Sequence, residues 1–441
     1  MLPGVTAKSI FNSTTTSNQR IPPQKAQAGP VNILLLTQYY PPEPGSTSNR
    51  LESFVQGCQR RGAKVTVLTA LPNYPMGRVS SGYRRRIVVR EVRNGADIIR
   101  VWIWPIQGAG ILARGITFGT FALSALLIGL LVAPKSDLIM WDSAPMTLGP
   151  VAWLLSKIKG GRLITNVCDL WIASLSALGI LREGPLLRIA TSMEEFLYRQ
   201  SAMVSGQTEY IVADVKRRVP TVPVILWRNG ADVPGEVRID KWAMRERWGV
   251  PPGRFVIGYA GMFGVSQNLR EICNAATLLD PATVTFVMVG DGADKQATVE
   301  KSRALGLGNF IWIDPQPHGA MPDIWSAFDC TIISLRKLPL FRGAVPSKLY
   351  EAMSYGTPVI LAIEGEARKI LEASEAGIAV DPEDPKQIAE AIGVLRDNPD
   401  RRRRFAENAR RAALEYYDRD RLNDRFIDAL LGGDPGSGDP G

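Results

Sequence analysis

The chain is poor in the residues that build metal and nucleophile sites. It has one histidine, His318, among 441 residues. That argues against His-rich metal sites and against any Ser-His-Asp arrangement not built on that residue. Cysteine is scarce as well: Cys58, Cys168, Cys273 and Cys330, with no C-x-x-C spacing. In a chain this long, such thiols indicate a reducing cytoplasm rather than a disulfide framework. Residues 1–30 are polar and lack the apolar run of a secretory signal, so they read as a disordered tail. The last ten residues, GGDPGSGDPG, read as a flexible end. No short-period repeat is visible.

What is present suits a large folded protein. Hydrophobic residues make up 45% and charged residues 22%, enough to bury sizeable cores. Lys and Arg outnumber Asp and Glu, 52 to 43, for a net charge of +9. The excess suits anionic partners such as phosphorylated substrates, nucleotides or an acidic membrane surface. It is spread along the chain, so no nucleic-acid footprint is required.

Between the tails, short apolar runs alternate with helical patterns. The runs at 31–37, 64–69, 97–104, 138–141 and 162–167 form a first series of strands, with a helix over about 50–61. A second series starts near Val224 and continues at 255–260, 285–289, 310–313, 330–334 and 358–362. Strands alternating with helices indicate parallel sheets with crossover helices. The expectation is two doubly wound α/β domains, 31–225 and 226–413, facing a central cleft where a ligand binds beyond the strand ends. A final helix at 414–431 is expected to return to the first domain.

One stretch, residues 116–133, runs for 18 residues without a charge between Arg114 and Lys135. It reads as a buried or partly buried crossover helix or as a helix seated in a membrane interface, with Leu126 and Leu130 as contact residues. A true span would split the α/β domain.

Three segments are placed for chemistry. Gly45 lies in the loop between the first strand and its helix, where the backbone can approach a ligand, although that loop carries no G-x-G-x-x-G. Asp169 ends a strand and could accept a proton or bind sugar hydroxyls, or simply cap a helix. The segment from Arg342 through Gly343, Val345, Ser347 and Lys348 to Glu351 enters a helix. Its amides form an anion nest to which Lys348 adds charge, and Glu351 could take both ribose hydroxyls or simply favour the helix dipole. His318 reads as an exposed loop residue. The basic run 401–404 reads as a solvated helix face or a membrane contact.

Read together, the motifs resemble the family 4 retaining glycosyltransferases of the GT-B fold over about residues 31–430. The branch most resembled is the bacterial N-acetylfucosaminyl transferase-like group of surface-polysaccharide synthesis. The residues that carry the likeness are Tyr39–Glu43, Pro72–Gly77, Asp169-Leu170-Trp171, Tyr259-Ala260-Gly261 with Gly264 and Gln267, Val289–Gly292, and Phe341–Val359. The resemblance implies a UDP-sugar donor bound mainly by the C-terminal domain, at Gly261, Gln267, Gly343, Val345, Ser347 and Glu351, with Gly45 nearby. It implies a glycan or lipid-linked acceptor bound mainly by the N-terminal domain, at Asn73 and Tyr74. Asp169, Lys348 and Arg342 are the catalytic candidates. The uracil pocket is expected near 313–315.

This chain also departs from the family pattern. Gly343 replaces the first of two glutamates separated by seven residues. Met262 and Gln267 stand where an Arg and a Lys usually clamp the diphosphate, and Cys168 replaces a common histidine. Phosphate neutralisation then falls to Arg342, Lys348 and loop amides. The chemistry implied is transfer with retention, in which the leaving diphosphate takes the acceptor proton and no protein nucleophile is needed. No Asp-x-Asp stands in a matching place, so no metal and no other cofactor is expected. The setting expected is cytoplasmic, with peripheral contact at an anionic inner membrane face. A non-catalytic scaffold of the same fold and a UDP-sugar 2-epimerase remain as alternative readings.

Overall fold

The computed structural model describes residues 29–74, 76–106, 110–177, 179–235 and 240–432. The N-terminal tail up to residue 28 and the final residues 433–441 lie outside this set. The chain divides into two compact units. Among the described residues one is Gly230–Asp418; the other is Gly29–Asn229, rejoined by Arg419–Gly432.

The first unit begins β1 (Asn32–Leu36), α1 (Ser46–Arg60), β2 (Lys64–Ala70), β3 (Val88–Arg93), β4 (Ala96–Val101), α2 (Ile111–Val132), β5 (Leu138–Asp142) and α3 (Leu148–Lys159). It continues β6 (Arg162–Val167), α4 (Trp171–Ala177), α5 (Pro185–Gln200), β7 (Met203–Gly206), α6 (Glu209–Arg218) and β8 (Val224–Leu226). The sheet order is β3-β4-β2-β1-β5-β6-β7-β8. All pairs are parallel except β3 with β4. The central strands are apolar because both their faces are covered. One face packs Ile33, Leu35, Phe54 and Val67; the other packs Leu34, Leu68, Phe121 and Trp141.

The second unit runs α7 (Lys241–Arg247), β9 (Phe255–Ala260), α8 (Arg270–Ala276), β10 (Val284–Val289), α9 (Lys295–Ala304), β11 (Phe310–Ile313) and α10 (Met321–Ser326). It continues β12 (Cys330–Ser334), α11 (Ser347–Ser354), β13 (Val359–Ala362), α12 (Glu366–Ala373), β14 (Gly377–Ala379), α13 (Pro385–Asp397) and α14 (Pro399–Tyr416). Its sheet, β11-β10-β9-β12-β13-β14, is parallel throughout. The last helix, α15 (Arg419–Leu431), packs with the first unit. Phe426 stacks on Trp227 at 4.2 Å, and Arg61 binds Asp424 and Asp428 at 2.7 and 2.6 Å.

These details correct the expected boundaries. Val224 does not open the second series: β8 pairs with β7 and completes the first sheet. The division therefore falls after Asn229 rather than at 225/226. Residues 414–416 still belong to α14, so the segment that joins the first unit begins at Arg419, not at 414. In the basic run, Arg402 donates to Leu395 O at 2.8 Å and lies over the Phe255 ring, so it is a packed residue.

Candidate functional site

In a doubly wound sheet, ligands bind beyond the carboxyl ends of the strands where the chain reverses its direction of growth. In the second unit that point lies between β9 and β12. The loop after β9 packs against the loop after β10: Gly261 N donates to Val289 O at 3.0 Å, and Phe263 N to Asp291 O at 2.8 Å. Gly290 has φ +134, and a Cβ there would collide with Gly261 O, so only glycine lets the two loops approach. Gly261 itself has φ +143, and its missing side chain leaves room for the Lys348 ammonium, 3.1 Å from where a Cβ would stand.

Lys348 is in the first turn of α11. Its Nζ donates to Tyr259 Oη at 2.6 Å and lies 4.1 Å from the centre of the Tyr259 ring. Tyr259 Oη in turn donates to Met262 O at 2.5 Å. Enclosure of the ammonium pushes the Lys348 pKa down to about 7, against the pull of the Glu351 carboxylate one turn on. A cation held this way is poorly solvated, and an arriving anion would relieve it. The lysine brings a positive charge beside Gly261, where Met262 and Gln267 carry none. Tyr259 was read from the sequence only as part of a motif; the structure makes it the lysine's partner.

The other expected donor residues divide. Ser347 opens α11 and Val345 precedes its N-cap, Pro346, which supplies no side-chain cap. Glu351 lies on the same helix. Gly343 is buried at the end of a short 3-10 turn, Pro339–Gly343. Arg342, on that turn, is exposed and bound to Glu364 at 3.2 Å, so part of its charge is already spent locally. Gln267 folds back on its own turn and accepts from Ser266 Oγ at 3.2 Å; it does not take the place of a clamp. Near the expected base pocket, Asp314 holds Lys295 at 2.9 Å. His318 is exposed, as the sequence indicated, with Asp232 at 3.9 Å.

In the first unit the reversal lies between β1 and β5. Gly45 caps α1 with φ 137, a conformation that favours glycine. Ahead of it, Glu43 is buried, and its Oε1 accepts from the backbone N–H groups of Asn73 and Tyr74 at 2.7 and 2.8 Å. Burial pushes its pKa up to about 7, opposed by those hydrogen bonds and by Arg100. The carboxylate thus ties the first loop to the second. Asn73 is buried with its amide turned to Leu71 O at 2.9 Å, so its side chain braces the loop rather than greeting an acceptor. Tyr74 is partly exposed and packs edge-on to Tyr39 at 5.6 Å, and it stays a candidate contact.

Asp169 is exposed on the loop after β6 and accepts from Ser174 Oγ at 3.3 Å. The surrounding protein raises its pKa by desolvation. Beneath it lies a buried group that sequence reading missed. Asp142, at the end of β5, accepts from Arg50 Nη2 at 3.2 Å, from Cys168 Sγ at 2.6 Å and from Asn166 Nδ2. The Arg50 guanidinium lies 4.4 Å from the centre of the Trp227 ring. This network fixes the strand ends that carry Asp169, and Cys168 serves it as a small polar filler. Among the described residues no group of three His, Cys, Asp or Glu side chains is arranged to hold a metal ion.

The comparisons with known proteins bear on the family and the fold. The family described as glycosyl transferase 4-like domain matches residues 45–230, and glycosyl transferases group 1 matches residues 240–412. The chain is 24% identical, over 82% of its length and 91% of the relative's, to the glycosyl transferase WcaI of Escherichia coli, named for colanic acid biosynthesis. It is 26% identical, over 74% of its length and 79% of the relative's, to D-inositol 3-phosphate glycosyltransferase of Corynebacterium urealyticum. Among solved structures it resembles the sucrose-phosphate synthase of Thermosynechococcus elongatus, with a TM-score of 0.73 at 16% identity over 91% and 98% of the two chains. It also resembles Anabaena HepE in complex with UDP, with a TM-score of 0.68 at 17% identity over 91% and 100%.

Proposed function

Because the chain belongs to the family 4 glycosyltransferases of the GT-B fold, we propose that it moves a sugar from a UDP-sugar to a glycan or lipid-linked saccharide in cell-surface polysaccharide synthesis. The sugar is a hexose or an N-acetyl aminosugar, and its configuration is retained. The observation that carries the donor reading is the enclosed Lys348 ammonium against Tyr259 and Gly261 at the β9–β12 reversal. The relative named for colanic acid biosynthesis and the structural neighbours solved with UDP support the substrate classes.

In this reading Lys348 and the first amides of α11 receive the diphosphate. They stabilise it most as it leaves, when its charge is greatest. Glu351 holds the ribose hydroxyls. Asp169 orients the acceptor hydroxyl, whose proton passes to the departing diphosphate as the new glycosidic bond forms. Lys348 makes a divalent cation unnecessary, and the protein works in the cytoplasm. Screening a panel of nucleotide sugars for acceptor-dependent UDP release, with and without EDTA, tests the whole reading. UDP release that needs acceptor and persists in chelator is expected. Conversion of a free UDP-sugar without acceptor would assign an epimerase. Binding without turnover would leave a scaffold, and loss in EDTA restored by Mg²⁺ would overturn the metal-free step.

A further inference from the structure

Helix α2 has two unlike sides. Toward the sheet, Phe121 and Ala125 are fully buried, and a Cβ on Gly129 would come within 3.0 Å of the Leu68 side chain. Away from it, Leu123, Leu127 and Leu131 form a row four residues apart, 59%, 55% and 84% exposed. Gly115 and Gly119 continue the row without a charge. Leu126 and Leu130, the contact residues expected from the sequence, are instead partly buried against the core. The helix is apolar and long enough to cross a membrane by length and composition, but its inner side is committed to the sheet.

The exposed row has neighbours of a definite kind. Residues 102–106 are tied to α2: Trp104 N donates to Thr120 Oγ1 and Ile106 N to Thr117 Oγ1, both at 3.1 Å, and Ser124 Oγ donates to Trp102 O. This segment presents Trp102 and Trp104 to solvent, the latter 58% exposed. Trp102 N donates to Ile87 O at 2.9 Å, which places the exposed Arg84, Arg85 and Arg86 beside it. These arginines line a shallow cavity with Trp102. There is no Asp or Glu at 53–90 or 98–136. Glu91, the nearby acid on β3, is bound to Arg100 at 2.6 Å.

We propose that this face docks on an anionic lipid bilayer. An exposed apolar row of this length marks an interaction surface, and the surrounding charge selects the partner. An acid-free border with three consecutive arginines fits a negatively charged surface. A row of leucines flanked by tryptophans fits the depth profile of a bilayer, with chains below and headgroups above. The helix lies along the membrane plane, its leucine row at the acyl boundary, the tryptophans at headgroup level and Arg84–Arg86 on lipid phosphates. The surface is independent of the donor and acceptor assignments.

The test is co-sedimentation of the full chain with vesicles of phosphatidylcholine alone or with phosphatidylglycerol added, which needs neither donor nor acceptor. Wild-type protein is expected to pellet with the mixed vesicles at low salt, at least about tenfold more weakly with neutral ones, and to be released by high salt. Leu123→Gln/Leu127→Gln/Leu131→Gln should lower binding about tenfold or more while melting cooperatively. Leu131→Gln alone, at the most exposed position, serves if the triple variant fails to fold and should weaken binding measurably. Arg84→Glu/Arg86→Glu should abolish the preference for anionic lipid. The proposal is overturned if wild-type protein stays in the supernatant, if the Leu variants bind unchanged, or if only detergent releases it. It is equally overturned if the chain self-associates without lipid and the Leu variant is monomeric, which would give the face to a second copy.

Discussion

The two strand-end regions where the sheets reverse have opposite electrostatic characters. At the β9–β12 reversal a lysine is held with a phenol and an aromatic face, and its pKa is driven down to about 7. At the β1–β5 reversal Arg50 meets Asp142 and Glu43 meets two backbone amides, yet Glu43 Oε2 and Asp142 Oδ2 stay buried without a hydrogen bond and burial pushes the Glu43 pKa up to about 7. The first arrangement leaves an unmet demand for negative charge. The second holds no enclosed lysine of this kind, since its buried cation, Arg50, already faces Asp142; it presents an aromatic edge and an exposed carboxylate, Tyr74 and Asp169. In the proposed reading a diphosphate meets the first and a neutral saccharide the second.

The largest effect should come from removing the unmet charge. Lys348→Met is expected to lower kcat for UDP release by about 10²–10³, the usual cost of losing one preorganised donor at a developing anion. The same variant should raise Tm at neutral pH. The native pKa lies below the unfolded value of about 10.4, so native protein binds fewer protons between about pH 7 and 10. Lys348 therefore costs stability at pH 7, a cost that fades as pH rises toward 10. A drop in Tm together with lost activity would point to a structural role instead.

Glu351→Ala should weaken UDP binding about 10–100-fold, since hydrogen bonds to a charged group contribute about 1.5–3 kcal/mol. Because the Glu351 carboxylate also holds the Lys348 pKa up, Glu351→Gln should shift the pH dependence of binding to lower pH. Unchanged UDP affinity by calorimetry would remove Glu351 from the site.

Asp169→Asn sharpens the contrast from the other side. It should lower turnover about tenfold or more, through the acceptor, while UDP affinity stays as in wild type. A parallel loss of UDP affinity would place Asp169 with the donor and erase the distinction between the two regions.

The smallest effect concerns the loop tie. The Glu43 pKa is raised above its unfolded value, so its contribution to stability is fully present below about pH 4.5 and is lost as pH rises through about 7. Glu43→Gln should flatten that part of the stability–pH profile, which spans on the order of 3 kcal/mol. Thermal melts from pH 4 to 8 read it directly, and an unchanged slope would refute the assignment.

Much of this architecture was legible because buried parallel strands are written as apolar runs. The runs at 32–36, 138–142 and 284–289 are of that kind. The strands that escaped were of other kinds. β3, Val88–Arg93, alternates and lies at an edge, while β7 and β14 are too short to carry a pattern. The side chains facing outward on α2 could not be read because an almost uniformly apolar helix has no polar face to fix its rotation. The Lys348–Tyr259 contact spans 89 residues of sequence and depends on which side of the strand end α11 crosses. The departures at Met262 and Gln267 already pointed to Arg342 and Lys348 for the phosphate charge; the fold adds that Lys348 lies beside Gly261 while Arg342 is turned to Glu364.

The central claim is that Lys348 is the diphosphate's counter-charge and is largely waiting for it. Calorimetry of UDP binding between pH 6 and 9, in buffers of different ionisation enthalpy, measures this most directly. If the diphosphate restores the lysine's ordinary pKa, binding takes up close to one proton above about pH 7, and affinity falls up to about tenfold per pH unit there. Lys348→Met should abolish both the uptake and the slope. Binding that takes up no proton across this range, or proton uptake unchanged in Lys348→Met, would contradict the account.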